Sequence, residues 1–180
     1  MIFVDESGFL MSPYVRRTWS PQGETPLLYE RRRRYDKVSA IAGLCCTPSG
    51  ANPKLYFRLH PGENIKAVHV VAFLSALLEC LDGNLLVVWD NIKVHKNAAV
   101  RKLVTQNPRI ALEWLPHYAP ELNPVEYLWA WLKTNPLANT AAYDIDEIAF
   151  FTRRHALSAQ KQKTLLRGFL QHSKLFPLRL

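Results

Sequence analysis

The sequence predicts an α/β protein with a mixed sheet: three antiparallel strands, then two parallel strands, with helices on both faces. The first sixty residues hold three short apolar or alternating stretches separated by turn-forming segments, which is typical of antiparallel strands. Two later apolar stretches each follow a segment with helical periodicity, which is typical of parallel strands. The length of 180 residues and the 48% hydrophobic content fit one domain with a buried core.

The first three strands are predicted before residue 61. Residues 1–5 form a short buried strand that Asp5 ends, and a long excursion rich in Pro, Gly, Ser and Arg runs on to about residue 35. Residues 37–47 form the second strand. Residues 54–60 alternate apolar and polar side chains and form the third. Turn-forming sequences, "TPSGANP" and "HPGEN", separate the later elements.

Helices and parallel strands follow. Apolar residues at helical spacing predict an amphipathic helix over residues 65–81. The continuous apolar run at residues 85–89 predicts a strand covered on both faces, and Asp90 follows it directly. A helix is predicted over residues 95–106 and a strand over residues 110–115. After a proline-rich loop the chain is predicted to be mostly helical to its end.

Composition narrows the class of partner and the compartment. The net charge of +8 favours a polyanionic partner, such as nucleic acid or an anionic membrane surface, although a merely basic protein has the same charge. Cys45, Cys46 and Cys80 show no CxxC spacing and are odd in number, which favours a reducing compartment over a disulfide scaffold. The longest apolar stretch carries charged residues, which argues against a membrane span. We therefore expect a cytoplasmic protein.

Three acidic residues stand where a site is expected. Asp5 and Asp90 end strands that are predicted to be parallel neighbours, so the strand ends would lie roughly 5 Å apart and the two carboxylates would face each other. Like charges at that distance raise each other's pKa or require a cation such as Mg²⁺ or Mn²⁺. Glu126 lies in the first turn of a later helix, on a different side from the core stripe that includes Trp129. Glu126 is therefore a candidate third member.

Each acid also has an ordinary structural interpretation. In "NPVE", Asn123 is a candidate N-cap and Pro124 stands at the first helical position, so Glu126 fits a capping box. Asp5 and Asp90 taken singly fit strand-end or turn aspartates. The three together are harder to explain as unrelated structural groups.

Three blocks of sequence resemble the signature blocks of DDE transposases. The blocks are "VDES", "VVWDNIKVHKN" and "LPHYAPELNPVEYLWAWLK". They are most similar to the mariner-like superfamily and its bacterial insertion-sequence branch, the third block is the most specific, and the resemblance covers residues 1–137. It implies a ribonuclease-H-like fold, with Asp5, Asp90 and Glu126 as ligands of two divalent metals, Mg²⁺ or Mn²⁺. It also implies DNA strand cleavage and strand transfer.

Basic and polar neighbours are candidates for DNA contact. Arginines beside an aromatic residue suit a DNA backbone or an unstacked end, although a charge run is more often a solvated face. Asn91 fits a metal-bound water, DNA or a simple turn, and His95 fits a phosphate contact or a helix start. The candidate DNA-binding residues are Arg16, Arg17, Trp19, Arg31, Arg32, Arg33, Arg34, Lys37, Asn91 and His95.

The resemblance also sets expectations about organisation and partners. Residues 1–180 are expected to form a single DDE catalytic domain, with core motifs in 1–137 and further helices in 138–180. Mariner-like transposases usually carry helix-turn-helix modules ahead of this domain. Since the first predicted strand begins at Met1, we expect that region to be absent from this chain. A separate polypeptide or a frameshift product would supply it, this chain would be the second reading frame of a split insertion sequence, or the gene would be a decayed fragment. Expected partners are DNA at transposon ends and targets and, by analogy, a second copy. With DNA as its partner, the protein is expected to associate with the nucleoid. The rival interpretations are a nuclease without strand transfer and a catalytically silent DNA-binding fragment of a decayed element.

Overall fold

A computed structural model describes residues 1–29, 36–90 and 97–176. A short 3₁₀ helix, Pro120–Leu122, leads into the first of three carboxyl-terminal helices. The strands and helices in chain order are β1 (Ile2–Leu10), β2 (Lys37–Cys45), β3 (Lys54–Pro61), α1 (Ala67–Cys80), β4 (Leu85–Trp89), α2 (Ala98–Gln106), β5 (Ile110–Trp114), α3 (Pro124–Thr134), α4 (Ile145–Lys161) and α5 (Lys163–His172).

The five strands form one mixed sheet in the order β3-β2-β1-β4-β5. β2 pairs antiparallel with both β1 and β3, and β4 pairs parallel with both β1 and β5. This confirms the predicted class. Each parallel pairing follows a helix in the chain, because a chain that re-enters a sheet in the same direction needs a crossover connection.

Apolar side chains cover both faces of the sheet. Successive residues of a strand point to opposite faces, and in β1 Ile2 and Val4 pack in one apolar cluster while Phe3 and Phe9 pack in another. Residues of α1 and α2 belong to the first cluster, and residues of α3, α4 and α5 belong to the second. β4 contributes to both, which explains its continuous apolar sequence.

The prediction that the first strand ends at Asp5 is wrong. β1 continues to Leu10 because β2 pairs with it along its whole length, from Ile2 opposite Cys45 to Leu10 opposite Lys37. Backbone hydrogen bonds to β2 therefore maintain the strand after its apolar run has ended. The parallel partner β4 ends much earlier, at Trp89.

The parallel register brings the two aspartates level. Ile2 of β1 pairs with Val87, and Phe3 pairs with Val88. The same offset of 85 residues places Asp5 level with Asp90, directly after the last residue of β4. Asp5 thus lies inside its own strand but beyond the carboxyl end of its neighbour, where α/β sheets bind ligands.

The excursion after β1 is attached to the residues that follow α3. Tyr14 forms an isolated parallel bridge with Ala138. The side chain of Asn139 accepts a hydrogen bond from the Arg16 N–H at 2.8 Å and donates one to the Arg16 carbonyl at 3.0 Å. These contacts hold the backbone of the first basic residues of the excursion.

The three cysteines are free thiols. No helix of the described segments is both long and apolar enough to span a bilayer.

Candidate active site

One side chain attaches the start of α3 to β1. Asn123, which is 2% exposed, is the N-cap of α3 and accepts a hydrogen bond from the Val125 N–H at 3.1 Å. Its amide nitrogen donates to the Val4 carbonyl, also at 3.1 Å. Pro124 follows at the first helical position, where no N–H donor is needed. The first turn of α3 is therefore fixed against the residue that precedes Asp5.

Glu126 lies in this first turn, but the Asn123 N–H, which a capping box would pair with the Glu126 carboxylate, has a different acceptor. In a capping box the carboxylate at the third helical position accepts from the N-cap backbone N–H. Here the Asn123 N–H donates to the Pro120 carbonyl at 2.9 Å, within the 3₁₀ turn. Asn123 is thus the N-cap that the sequence predicts. The Glu126 carboxylate faces a cavity instead of closing the helix end.

The three predicted acids line one open cavity of about 290 Å³. Asp5 comes from β1, Asp90 follows β4, and Glu126 comes from α3. Asp5 is buried, Asp90 is partly buried and Glu126 is exposed. Residues 115–120 of the proline loop form another wall of the cavity. Side chains 85 and 36 positions apart in sequence therefore meet at one end of β4.

The surroundings of the cavity penalise negative charge. Burial raises the pKa of Asp5 well above its ordinary value, and the nearby charges of Glu126, Glu6 and Asp90 raise it further. Partial burial also raises the pKa of Glu126, with a further contribution from Asp90, while the charge of Lys133 opposes the increase. Each of the three acids thus interacts electrostatically with the other two, as expected for groups that gather around a cation.

Lys133 stands beside these acids on the same helix as Glu126. Its amino group donates to the Ser7 hydroxyl at 2.8 Å and lies 5.6 Å from the centre of the Phe9 ring. Burial lowers the pKa of Lys133, whereas the charges of Glu126 and Asp5 oppose that decrease. The spacing of seven residues from Glu126 puts both side chains on one helix face, a signal visible in the sequence.

Trp129 also contacts the site, although sequence reasoning assigned it to the core stripe alone. It is 3% exposed, and its indole N–H donates to Oδ2 of Asp5 at 2.8 Å. A buried indole usually donates its N–H to an acceptor, so a tryptophan predicted to be buried is also expected to form a hydrogen bond. Which acceptor it finds depends on how α3 lies on β1.

The candidate DNA-binding residues are distributed differently. Arg16 and Arg17 are exposed on the excursion, and Trp19 is 99% exposed. Lys37 is partly buried in β2, and its aliphatic stem lies near Gly8. None of these four lines the acidic cavity. The remaining candidates lie outside the described residues: Arg31, Arg32, Arg33, Arg34, Asn91 and His95.

A second group of candidate metal ligands lies where β3 leads into α1. Potential ligand atoms of His60, Glu63 and His69, here called the histidine cluster, are within 4.8 Å of one another. Nδ1 of His69 accepts from the Lys66 N–H at 3.1 Å, so neutral His69 carries its proton on Nε2. Nε2 lies 3.2 Å from Oε2 of Glu63, and the ring of His60 stacks on that of His69 at 4.3 Å. Both nitrogens of His69 are therefore already used.

Residues 1–149 match the family model of the DDE superfamily endonucleases. The chain belongs to that family. The match includes all three acids of the cavity. No curated protein matches this DDE domain.

Solved structures of Mos1 transposase resemble the chain over nearly its whole length. A Mos1 paired-end complex with the left transposon end is 21% identical with a TM-score of 0.67, covering 97% of this chain and 52% of that one. The mariner Mos1 paired-end complex with Mg is 20% identical with a TM-score of 0.65, covering 96% and 52%. The Mos1 catalytic domain is 18% identical with a TM-score of 0.62, covering 96% and 76%. The chain thus spans about half the length of the Mos1 chains in the paired-end complexes, and the likeness shows a ribonuclease-H-like fold.

Proposed function

We propose that this DDE domain is the catalytic domain of a transposase, which cleaves DNA strands and transfers them with the help of divalent metal ions. The observation that carries the proposal is the meeting of Asp5, Asp90 and Glu126 in one cavity. They come from three separate elements of a chain that belongs to an endonuclease family. The proposed role of all three is to ligate the metal ions.

The donor set fits Mg²⁺ or Mn²⁺. Carboxylate oxygens are the ligands that these hard cations prefer. The raised pKa of Asp5 and of Glu126 shows that their surroundings disfavour their negative charges, and a cation would relieve this. Mos1 paired-end complexes have been solved with Mn and with Mg, which supports the same metals here.

The proposal includes two ions per site. Both Glu126 and Asp90 raise the pKa of Asp5 through their charges, so the three acids act electrostatically as one group. Together they would hold the ions, and added positive charge would offset the penalty on all three carboxylates.

The residues of the chain position these groups. Asp5, Asp90 and Glu126 would hold the metal ions, which would supply activation of a water or 3′-hydroxyl nucleophile and stabilisation of the leaving oxygen of the phosphodiester. Trp129 and Asn123 hold Asp5 and the start of α3 in place through hydrogen bonds of 2.8 and 3.1 Å. Because Glu126 is the exposed acid of the cavity, we expect a DNA strand to approach from its side. Hydrolysis and strand transfer then differ only in the nucleophile.

The expected partner is DNA at transposon ends and at target sites. A net charge of +8 and exposed basic residues suit its phosphates, so affinity should fall steeply with salt. Arg16, Arg17 and Trp19 are the exposed candidates for these contacts. We propose the same role for the candidate DNA-binding residues outside the described residues. We also propose that residues 1–180 form one catalytic domain, which acts in the cytoplasm. Its further proposed partners are a second copy of the chain, in a homodimer, and a separate helix-turn-helix polypeptide.

A plasmid-nicking assay tests the proposal. The full chain is incubated with supercoiled plasmid and Mg²⁺ or Mn²⁺, beside Asp90→Ala and the matched control Asp82→Ala, which removes an exposed acid of the turn before β4. We expect metal-dependent nicking that falls roughly 10³-fold in Asp90→Ala and is unchanged in the control. Equal nicking by all three proteins would reject the site. No nicking by any would favour the silent DNA-binding fragment.

Strand transfer is measured separately from nicking. A labelled duplex with a free 3′-hydroxyl end is supplied as donor, and its joining to the plasmid is followed on a gel. Joining that needs the metal ion and Asp90 supports a transposase. Nicking without joining would favour the nuclease interpretation.

A further inference from the structure

Trp129 connects the helix that carries Glu126 to the strand that carries Asp5. Its indole N–H donates to Oδ2 of Asp5 at 2.8 Å, and both side chains are buried. The indole ring packs edge to face on Phe9 with ring centres 5.8 Å apart. Phe9 belongs to β1 and is fully buried, so the position of the ring is fixed by packing as well as by the hydrogen bond.

We propose that Trp129 is a positioning residue that holds the carboxylate of Asp5 in a single orientation. By occupying Oδ2, the indole N–H directs the other oxygen, Oδ1, to the metal site. The inference rests on the proposed function, since it assumes that Asp5 is a metal ligand. A carboxylate without such a donor can rotate about its terminal torsion, whose energy profile is broad.

The spacing on α3 gives this hydrogen bond a further consequence. Glu126 and Trp129 are three residues apart, so they are neighbours on the helix surface. One helix thus supplies a candidate ligand and also the donor that orients another ligand on a different element. A shift of α3 relative to β1 would disturb Glu126 and Asp5 together.

The same helix provides a matched control. Trp131 is partly buried and packs on Phe169 of α5, with ring centres 6.4 Å apart. It does not line the acidic cavity. A Trp131→Phe substitution therefore has a packing cost similar in kind to that of Trp129→Phe, without removing a donor to Asp5.

Mn²⁺ binding to the full chain without DNA tests the proposal, with free Mn²⁺ followed by electron paramagnetic resonance. The test variants are Trp129→Phe and replacement of Trp129 by benzothienylalanine, which keeps the shape of the indole but has sulfur in place of the N–H. Loss of a group that orients a metal ligand typically weakens metal affinity about 10–100-fold. We expect a weakening of that size in both variants and none in Trp131→Phe.

A second readout separates orientation from folding. The nicking rate is measured as a function of Mg²⁺ concentration, beside thermal unfolding of each variant. We expect the half-saturating Mg²⁺ concentration to rise about as much as the Mn²⁺ dissociation constant, while the rate at saturating Mg²⁺ stays within a few-fold of the unaltered protein. If Trp129→Phe fails to fold, the isosteric benzothienylalanine variant decides.

The outcomes are distinguishable from failure of the proposed function. Unchanged Mn²⁺ affinity in the benzothienylalanine variant, when the unaltered protein binds Mn²⁺ and Asp90→Ala does not, overturns this inference and leaves the proposed function standing. No binding by the unaltered protein, or equal binding by Asp90→Ala, overturns both. An equal loss of affinity in Trp131→Phe also overturns the inference, because it would show a general effect of packing.

Discussion

The histidine cluster and the acidic cavity both contain potential metal ligands, but they differ in how strongly their surroundings disfavour negative charge. The histidine cluster is the tighter group, with ligand atoms within 4.8 Å of one another. The acidic cavity is wider, and its acids come from three distant parts of the chain. Distance alone would select the histidine cluster as the metal site.

Charge selects the acidic cavity instead. In the histidine cluster, both ring nitrogens of His69 are used by the Lys66 N–H and the Glu63 carboxylate, although the buried Nε2 of His60 has no hydrogen-bond partner among the described residues. In the acidic cavity, burial and like charges raise the pKa of Asp5 and of Glu126. A cation site is better indicated by negative charge that the fold penalises than by ligand types that happen to be close.

The largest expected effect comes from neutralising one carboxylate in each of the two groups and comparing the two variants. We expect Glu126→Gln to reduce metal-dependent nicking roughly 10²- to 10³-fold, because it removes a proposed ligand while keeping the size of the side chain. Glu63→Gln should leave nicking within about two-fold of the unaltered protein. Plasmid nicking in Mg²⁺ measures both. A larger loss in Glu63→Gln than in Glu126→Gln would reverse the comparison.

An intermediate effect is expected from Asn123, which attaches the start of α3 to β1 beside the acidic cavity. Asn123→Ala removes the cap of α3 and also leaves the Val4 carbonyl without its side-chain donor, so we expect a loss of about 2–3 kcal/mol in the free energy of unfolding. Asn97 is an exposed N-cap. Within the described residues, its side chain makes a single hydrogen bond, which it accepts from the Ala99 N–H. Asn97→Ala should therefore cost about 1 kcal/mol. Urea unfolding compares the two.

That comparison extends to activity. Asn123→Ala should also weaken nicking, since the first turn of α3 carries Glu126, whereas Asn97→Ala should not. Equal losses of stability in the two variants would mean that the bond to Val4 contributes little. Unchanged nicking in a folded Asn123→Ala protein would mean that the position of Glu126 does not depend on it.

The smallest effect concerns pH and the metal-free protein. The pKa of Asp5 in the folded protein is raised above its ordinary value of 3.8, so the folded protein holds this proton more tightly than the unfolded chain. The resulting contribution to stability is present at low pH and is lost as pH rises through the raised pKa. Asp5→Asn should remove this loss and stabilise the metal-free protein at neutral pH by about 1 kcal/mol, because Asn can still accept from Trp129.

Thermal unfolding between pH 4 and pH 8, with and without Mg²⁺, measures this difference, with Asp82→Asn as the exposed control. The difference in stability between Asp5→Asn and the unaltered protein should grow with pH and shrink when Mg²⁺ is added. Parallel pH profiles for the two proteins would contradict the assignment of a penalised charge at Asp5.

Local pattern predicted most of the strands and helices. The strand at residues 85–89 was predicted with the bounds that the structure has, because a continuous apolar run between turn residues leaves few alternatives. The end of β1 was predicted wrongly, since pairing with β2 extends it beyond its apolar run. The helical end region was predicted only in outline: α3, α4 and α5 are separate helices.

The three acids of the candidate site could be predicted from the sequence, but the hydrogen bonds that position them could not. Asp5, Asp90 and Glu126 are visible as carboxylates beside strands and at a helix start. Whether Glu126 closes its helix or faces the cavity depends on where the Asn123 N–H donates, and that depends on the 3₁₀ turn before α3. The donation of Trp129 to Asp5 joins residues 124 positions apart, and no local pattern contains it.

The sequence by itself determined the order of strands and helices, the basic charge and the identity of the three acids, because these follow from hydrophobic period, turn chemistry and residue type. Only the tertiary structure decided that Asp5 stands level with Asp90 and that α3 lies against β1 through Asn123 and Trp129. The physical reason is that strand register and helix placement are set by hydrogen bonds and packing between distant segments. The features that distinguish the acidic cavity from the histidine cluster as a candidate metal site arise at that level.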